Sequence, residues 1–271
     1  MSSNKSGRCI FCGGPGLTKQ HVMPRWLSSV VLCDSTEHSQ MLTRLDLSAP
    51  GQALIQPGLR FEQGDFFSRK IRKVCGKCNS GWMSTLESQA KPHLIAMILG
   101  EPLSMSVQAQ ESVAAWVMMT AIMAEFTDCP MAAIPVDDRQ YLATHRRPPS
   151  TWRMWLGSYE GERWVRRYRH YGGSAIRRGQ PIPALPVVNY QYSTLVIGAM
   201  FVQAASSTVP DVLVDFGGRT GELLARLWPL STDAINWPRG ETLTDDDADF
   251  VAQVPMQHAI MNSPLPAARD A

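Results

Sequence analysis

From residue 106 to 127 the chain reads SVQAQESVAAWVMMTAIMAEFT, an almost unbroken apolar run. It predicts a strongly apolar helix, capped by the serine at 104 or 106, whose methionines and Trp116 pack into a core. Gly100 marks a break before it. Upstream, Trp82, Met83 and Leu86 recur at helical spacing from Asn79 onward, and Pro92 is expected to kink or restart that helix before HLIAMIL. A third helix is predicted at 136 to 145, ending before RRPPS. Aromatic and β-branched residues at 151 to 159, 163 to 171, 189 to 204 and 212 to 228 predict strands separated by Gly and Pro. A last helix starts at Thr244, where Asp245, Asp246 and Asp247 favour a helix N-terminus. Residues 1 to 100 read as short strands and loops with a hairpin near 58 to 74. The fold class expected is α+β: a stapled N-terminal unit, then a helical hairpin and a small antiparallel sheet.

Length and composition fit this reading, since 271 residues with 44% hydrophobic content can bury a real core. The expected organisation is 1–100, an accessory α+β domain at 101–265, and a disordered tail at 266–271. No run of eighteen apolar residues appears, and the Met-Ser-Ser-Asn-Lys start lacks an apolar signal core. Neither a membrane partner nor secretion is indicated, and a cytoplasmic setting is the expectation.

Charge changes the picture through its distribution rather than its total of +2. Residues 1 to 100 carry twelve Lys/Arg against six Asp/Glu, residues 139 to 180 ten against two, and residues 200 to 271 four against ten. SRKIRK (68 to 73) and RWVRRYRHY (163 to 171) suit either a solvated strand face or a surface that tracks phosphates, because arginine forks onto phosphate oxygens and each contact releases counterions.

Four of the six cysteines form two C-x2-C pairs, Cys9/Cys12 and Cys75/Cys78, separated by sixty-two residues. That arrangement brings four thiolates within reach of one tetrahedral Zn²⁺, with glycines 13, 14 and 76 letting the backbone turn beneath it. A redox pair is the rival, but redox pairs occur singly at a helix start after a buried strand. Four thiolates leave no open position, so the zinc is structural. Cys33 and Cys129 read as free thiols.

CIFCGGPGLTKQHVMPRW followed by VCGKCNSGWMSTLE resembles the zinc-containing branch of the HNH endonucleases. The resemblance spans about residues 8 to 90, a third of the chain, and rests on H-x-x-P lying after one CxxC and before a CxxCN. It implies a ββα-metal, treble-clef-like core, with Cys9, Cys12, Cys75 and Cys78 holding structural zinc. It further implies His21 as general base and Asn79 as a ligand for a catalytic Mg²⁺ or Mn²⁺. Gln20 stands where the family usually has an acidic residue or histidine; its amide oxygen can coordinate a hard cation but brings no charge. Glu87, two turns beyond Asn79, is a further candidate ligand for that cation.

The chemistry asks for such a set. Phosphodiester hydrolysis needs a base to take a proton from water, a task suited to histidine near neutral pH, and a cation to offset charge at phosphorus. Arg69, Lys70, Arg72, Lys73 and Lys77 flank the second knuckle and are candidate phosphate contacts, joined by Arg166 and Arg167. The function expected is a metal-dependent endonuclease acting on DNA, double-stranded by preference, with a protein partner or homo-oligomer contact through the C-terminal region. Two alternatives remain open: a nucleic-acid-binding module whose catalysis was lost with Gln20, and a zinc-stapled scaffold that binds protein. Trp26 and Trp82 read as packing, and the histidines at 38, 93, 145, 170 and 258 as ordinary polar residues.

Overall fold

The computed structural model describes residues 7–31, 37–49, 52–63, 68–128, 132–173, 188–209, 215–231 and 233–261. Cys33, Cys129 and the 266–271 tail lie outside the described residues. Strand β1 (Leu17–His21) is followed by a one-turn helix α1 (Leu27–Val30), two long strands β2 (Glu37–Ala49) and β3 (Gln52–Gln63), and β4 (Lys70–Cys75). β4 runs straight into a helical segment: one turn, α2 (Gly76–Cys78), a five-residue π-turn at Asn79–Met83, and α3 (Ser84–Leu99).

The expected hairpin at 58 to 74 does not form. β3 pairs with β2, and β4 pairs antiparallel with β1, matching Leu17 to Cys75, Thr18 to Val74, Gln20 to Ile71 and His21 to Lys70. Adjacency in sequence misled here, because the two cysteine knuckles draw together strands that are distant along the chain. The register slips between Thr18 and Gln20, with the extra residue on β4, and the Lys73 carbonyl accepts the Ile10 N–H of the first knuckle at 3.0 Å. Pro92 does not interrupt α3, which continues to a left-handed Gly100 (φ 71°).

After a short strand β5 (Leu103–Met105) comes α4 (Val107–Asp128), the predicted apolar helix. Every residue from Val113 to Glu125 is buried, which explains the lack of a polar face: α3, α5 (Val136–His145), β4, β5 and the central sheet surround it. The central sheet is larger than expected and not purely antiparallel. It is built from β6 (Trp152–Tyr159), β7 (Arg166–Gly173), β8 (Tyr190–Ile197), β9 (Met200–Ser207) and, after the short α6 (Gly218–Leu223), β10 (Ala225–Trp228). Its order is β10-β6-β9-β8-β7-β2-β3, with β2 parallel to β7. β11 (Ile235–Trp237) pairs with β5, and β12 (Thr242–Leu243) lies parallel to β6.

The predicted strand at 189 to 204 is thus two strands. They turn at Gly198 (φ 55°), where a Cβ would sit 2.3 Å from the Ile98 carbonyl oxygen, so this hairpin docks on the end of α3. Period-two alternation sorts the sheet's faces. Trp152, Met154, Leu156, Leu195, Ile197 and Val202 belong to the core shared with α4. Trp155, Tyr192, Val196, Phe201 and Ala205 pack with α7 (Asp245–Met261). Thr244 caps α7, exchanging hydrogen bonds with Asp247 at 2.7–3.3 Å.

The α4-side core runs without a gap from Cys9, Phe11 and Cys78 through Met83, Leu94 and Trp116 to Trp237. It crosses residue 100, so the knuckles and the C-terminal two-thirds share one apolar interior. Among the described residues no helix is long and apolar enough to cross a membrane.

Candidate metal centre

The first knuckle is a tight turn closed by Cys9 N–H to Gly14 O at 2.9 Å and Gly13 N–H to Cys9 O at 2.8 Å, with Gly13 at φ 69°. The second is the junction of β4 and α2. Gly76 N–H donates to Gly16 O at 3.1 Å, binding one knuckle to the other. The result brings the sulfurs of Cys9, Cys12, Cys75 and Cys78 within 4.8 Å of one another.

This donor set fits a tetrahedral metal. Zinc–sulfur bonds of about 2.3 Å put tetrahedral sulfurs about 3.8 Å apart, and the Cys12 and Cys75 sulfurs are 3.6 Å apart. All four cysteines are free, and this close pair joins the two knuckles rather than the two ends of one CxxC, which disfavours the redox reading. Backbone N–H groups point at sulfur from Gly14 to Cys12 at 3.4 Å and from Cys78 to Cys75 at 3.5 Å.

The thiols are electrostatically unequal. Burial pushes the Cys9 thiol up, but N–H donors at Cys75, Cys12 and Phe11 outweigh it and bring it down to about 7. For Cys12 the Gly14 N–H lowers the thiol pKa, yet burial and the Cys75 and Cys9 sulfurs leave it raised. Burial foremost, then the crowding sulfurs, drives Cys78 upward against a lowering influence from the Trp82 indole. Crowded thiols resist ionisation together, and a divalent cation at their centre removes that resistance.

Around this centre, His21 ends β1 opposite Lys70, half-buried, with its Nδ1 turned into the protein. Asn79 opens the π-turn and donates from Nδ2 to Thr18 Oγ1 at 3.3 Å. Thr18 and His21 share β1 but lie three residues apart, about 10 Å along an extended strand. The cysteine cluster therefore brings Asn79 to the strand that carries His21, at its other end. Gln20 is half-buried opposite Ile71. Glu87 is committed elsewhere: its Oε1 accepts the Trp26 indole N–H at 3.0 Å, burial raises its pKa, and Trp26 in turn lies under Lys91 Nζ at 5.4 Å.

The basic candidates fall on two sheets. Lys70, Arg72, Lys73 and Lys77 are exposed and Arg69 is half-buried along β4 and α2. Arg72 donates to Leu17 O at 3.3 Å, and Lys73 Nζ lies 5.8 Å from the Phe126 ring centroid, so both also brace the fold. Arg166 and Arg167 lie on β7, with Arg167 6.0 Å from the Trp164 ring centroid.

One polar cluster escaped the sequence reading. Glu125 of α4 accepts the Ala133 and Ile134 backbone N–H groups at 2.5 and 3.2 Å and approaches His170 Nε2 at 3.4 Å. His170 Nδ1 lies 2.8 Å from Ser193 Oγ, which donates to Gln191 Oε1 at 2.8 Å. His170 is therefore not an ordinary polar residue. The signal was a lone carboxylate in the apolar run AIMAEF, since a buried charge requires partners. Although the order Ser-His-Glu matches a nucleophilic triad, Glu125, His170 and Ser193 are 2%, 8% and 3% exposed. Buried in this way, the cluster ties α4 to β7, β8 and the 133–134 loop.

Among the described residues the four cysteines are the group of three or more His, Cys, Asp or Glu side chains close enough to share a metal ion. Comparisons with protein-family models, curated proteins and solved structures find no match to this chain.

Proposed function

We propose that the chain is a zinc-stapled endonuclease of the HNH type that hydrolyses phosphodiester bonds in DNA. The observation that supports this most is the order of elements at the cysteine cluster: a strand ending in His21, an antiparallel strand ending in Cys75, and a helical segment in which Asn79 follows the last cysteine and bonds back to the first strand. In this reading His21, half-buried with its Nδ1 edge packed inward, takes a proton from the attacking water, a contribution of about 10²- to 10⁴-fold. Lys70, exposed opposite it, and Lys77, exposed at the other end of the β1–β4 pair, draw the phosphate backbone in. A Mg²⁺ or Mn²⁺ ion supplies charge neutralisation at phosphorus in this class of reaction.

The donors for that second ion are sparse. Asn79 Oδ1 and Gln20 Oε1 are uncharged, and Glu87 is held by Trp26. Among the described residues this scarcity favours the second reading, a nucleic-acid-binding module without catalysis.

Nicking of supercoiled plasmid with Mg²⁺ or Mn²⁺ decides between the two. The endonuclease reading expects His21→Ala to cut at least 100-fold more slowly and Gln20→Glu, by adding a charged ligand, to cut faster. Equal background cleavage by wild type and His21→Ala, with duplex binding retained at low salt, would establish the binding module instead. Loss of duplex binding even at low salt would remove the nucleic acid from both.

A further inference from the structure

Arg146 follows α5, more than sixty residues beyond Cys78, yet its guanidinium carbon lies 4.8 Å from the centroid of the Trp82 ring. Trp82 stands edge-on to Phe11, ring centroids 5.1 Å apart at 87°, and Phe11 sits in the first knuckle between Cys9 and Cys12. Trp82 lies four residues beyond Cys78 on the same helical segment, so this one ring links Arg146 to both knuckles. The backbone is specialised as well. Arg146 is in the left-handed region (φ 61°, ψ 22°), where glycine is usual at a helix C-terminus, and its N–H closes α5 onto Leu142 O at 2.9 Å.

Four thiolates around one divalent cation carry a net charge of −2. Arg8 reaches the first knuckle through Gly13 O at 3.0 Å, and Lys77 lies within the second. Arg146 approaches from the far side of residue 100 through the Trp82 ring. We propose that Arg146 is a positioning residue of the four-cysteine metal centre: its guanidinium, held on the face of Trp82, offsets the charge of the thiolate cluster and fastens α5 to the knuckles. The proposal rests on the metal reading of the cysteines and not on nuclease activity. Arg146 is exposed as a residue, so the effect is modest and screened by salt.

The test uses the full-length zinc-loaded protein and follows zinc transfer to a chromogenic chelator. Outer residues of metal sites alter affinity by about 10- to 100-fold when mutated, and for this exposed one the low end is expected. Arg146→Met releases zinc about 10-fold faster, Arg146→Lys is intermediate, and the gap between wild type and Arg146→Met narrows at high salt. In cobalt-substituted protein, the sulfur-to-metal charge-transfer band shifts in Arg146→Met and less in Arg146→Lys. Wild-type release rates and an unshifted band in Arg146→Met would overturn the proposal. So would an equal, salt-independent loss in both variants, which would assign Arg146 to packing alone. If Arg146→Met fails to fold, Arg146→Lys against wild type decides alone. Absence of metal from the wild type refutes the metal reading itself, a separate failure.

Discussion

Removing the metal should unfold the knuckles while leaving the helical core standing. A four-cysteine zinc is worth on the order of 10 kcal/mol of folding free energy, comparable with the whole stability of an ordinary domain. The knuckles have little to replace it. β1 and β4 are five and six residues long, form a two-stranded sheet, and such a pair is marginal in water. Phe11, Val22, Met23, Leu27, Val31 and Val74 are buried beneath them and contribute about 2 kcal/mol each, a gain that ordering the backbone of these segments, at about 1–2 kcal/mol per residue, more than offsets. The assay is amide hydrogen exchange by mass spectrometry with and without a zinc chelator, alongside a metal count. Expected are one zinc per chain, loss of protection over 7–31 and 68–78 on chelation, and retained protection over 113–124, where α4 is enclosed on all sides. Unchanged protection of β1 and β4 after zinc has demonstrably left would refute the reasoning, because the strands would then be self-supporting.

Three other outcomes follow from the packing. Glu125→Gln should cost about 3 kcal/mol in urea unfolding, since charge-assisted hydrogen bonds to buried N–H groups are worth roughly 1.5–3 kcal/mol each; a midpoint equal to wild type would show that the carboxylate is dispensable. Gly198→Ala should lower stability by about 3 kcal/mol, as the left-handed backbone and the Ile98 carbonyl both exclude a Cβ, and a loss below about 1 kcal/mol would mean that the turn can shift. Asp245 is held below the usual carboxylate range by the Tyr159 hydroxyl first, then by the Glu162 and Arg163 backbone N–H groups and the Arg163 charge. Its folded pKa lies below its unfolded one, so its contribution is present above about pH 4 and lost as pH falls through the folded value. Melting temperatures between pH 2 and 7 should therefore show Asp245→Asn less stable than wild type at pH 7 and converging with it in acid; parallel curves would rule this out.

Some features of this protein were set by short stretches of chain. The helix at 136–145 and the apolar helix α4 lie within a residue of their sequence-expected bounds, and Thr244 caps α7, because helices obey a 3.6-residue period and local capping bonds. The two CxxC pairs announced through their own spacing a four-sulfur cluster that could hold a metal ion. Other features were decided only in three dimensions. The β1–β4 pairing across the long β2–β3 insertion, the parallel join of β2 to β7, the commitment of Glu87 to Trp26, the Glu125–His170–Ser193 cluster and the approach of Arg146 to Trp82 all join residues far apart in sequence. Local hydrogen bonding carries no record of such partners. Closing a long loop costs nearly the same for many alternative pairings, so the choice among them falls to whichever arrangement buries the apolar surface and satisfies its polar groups together.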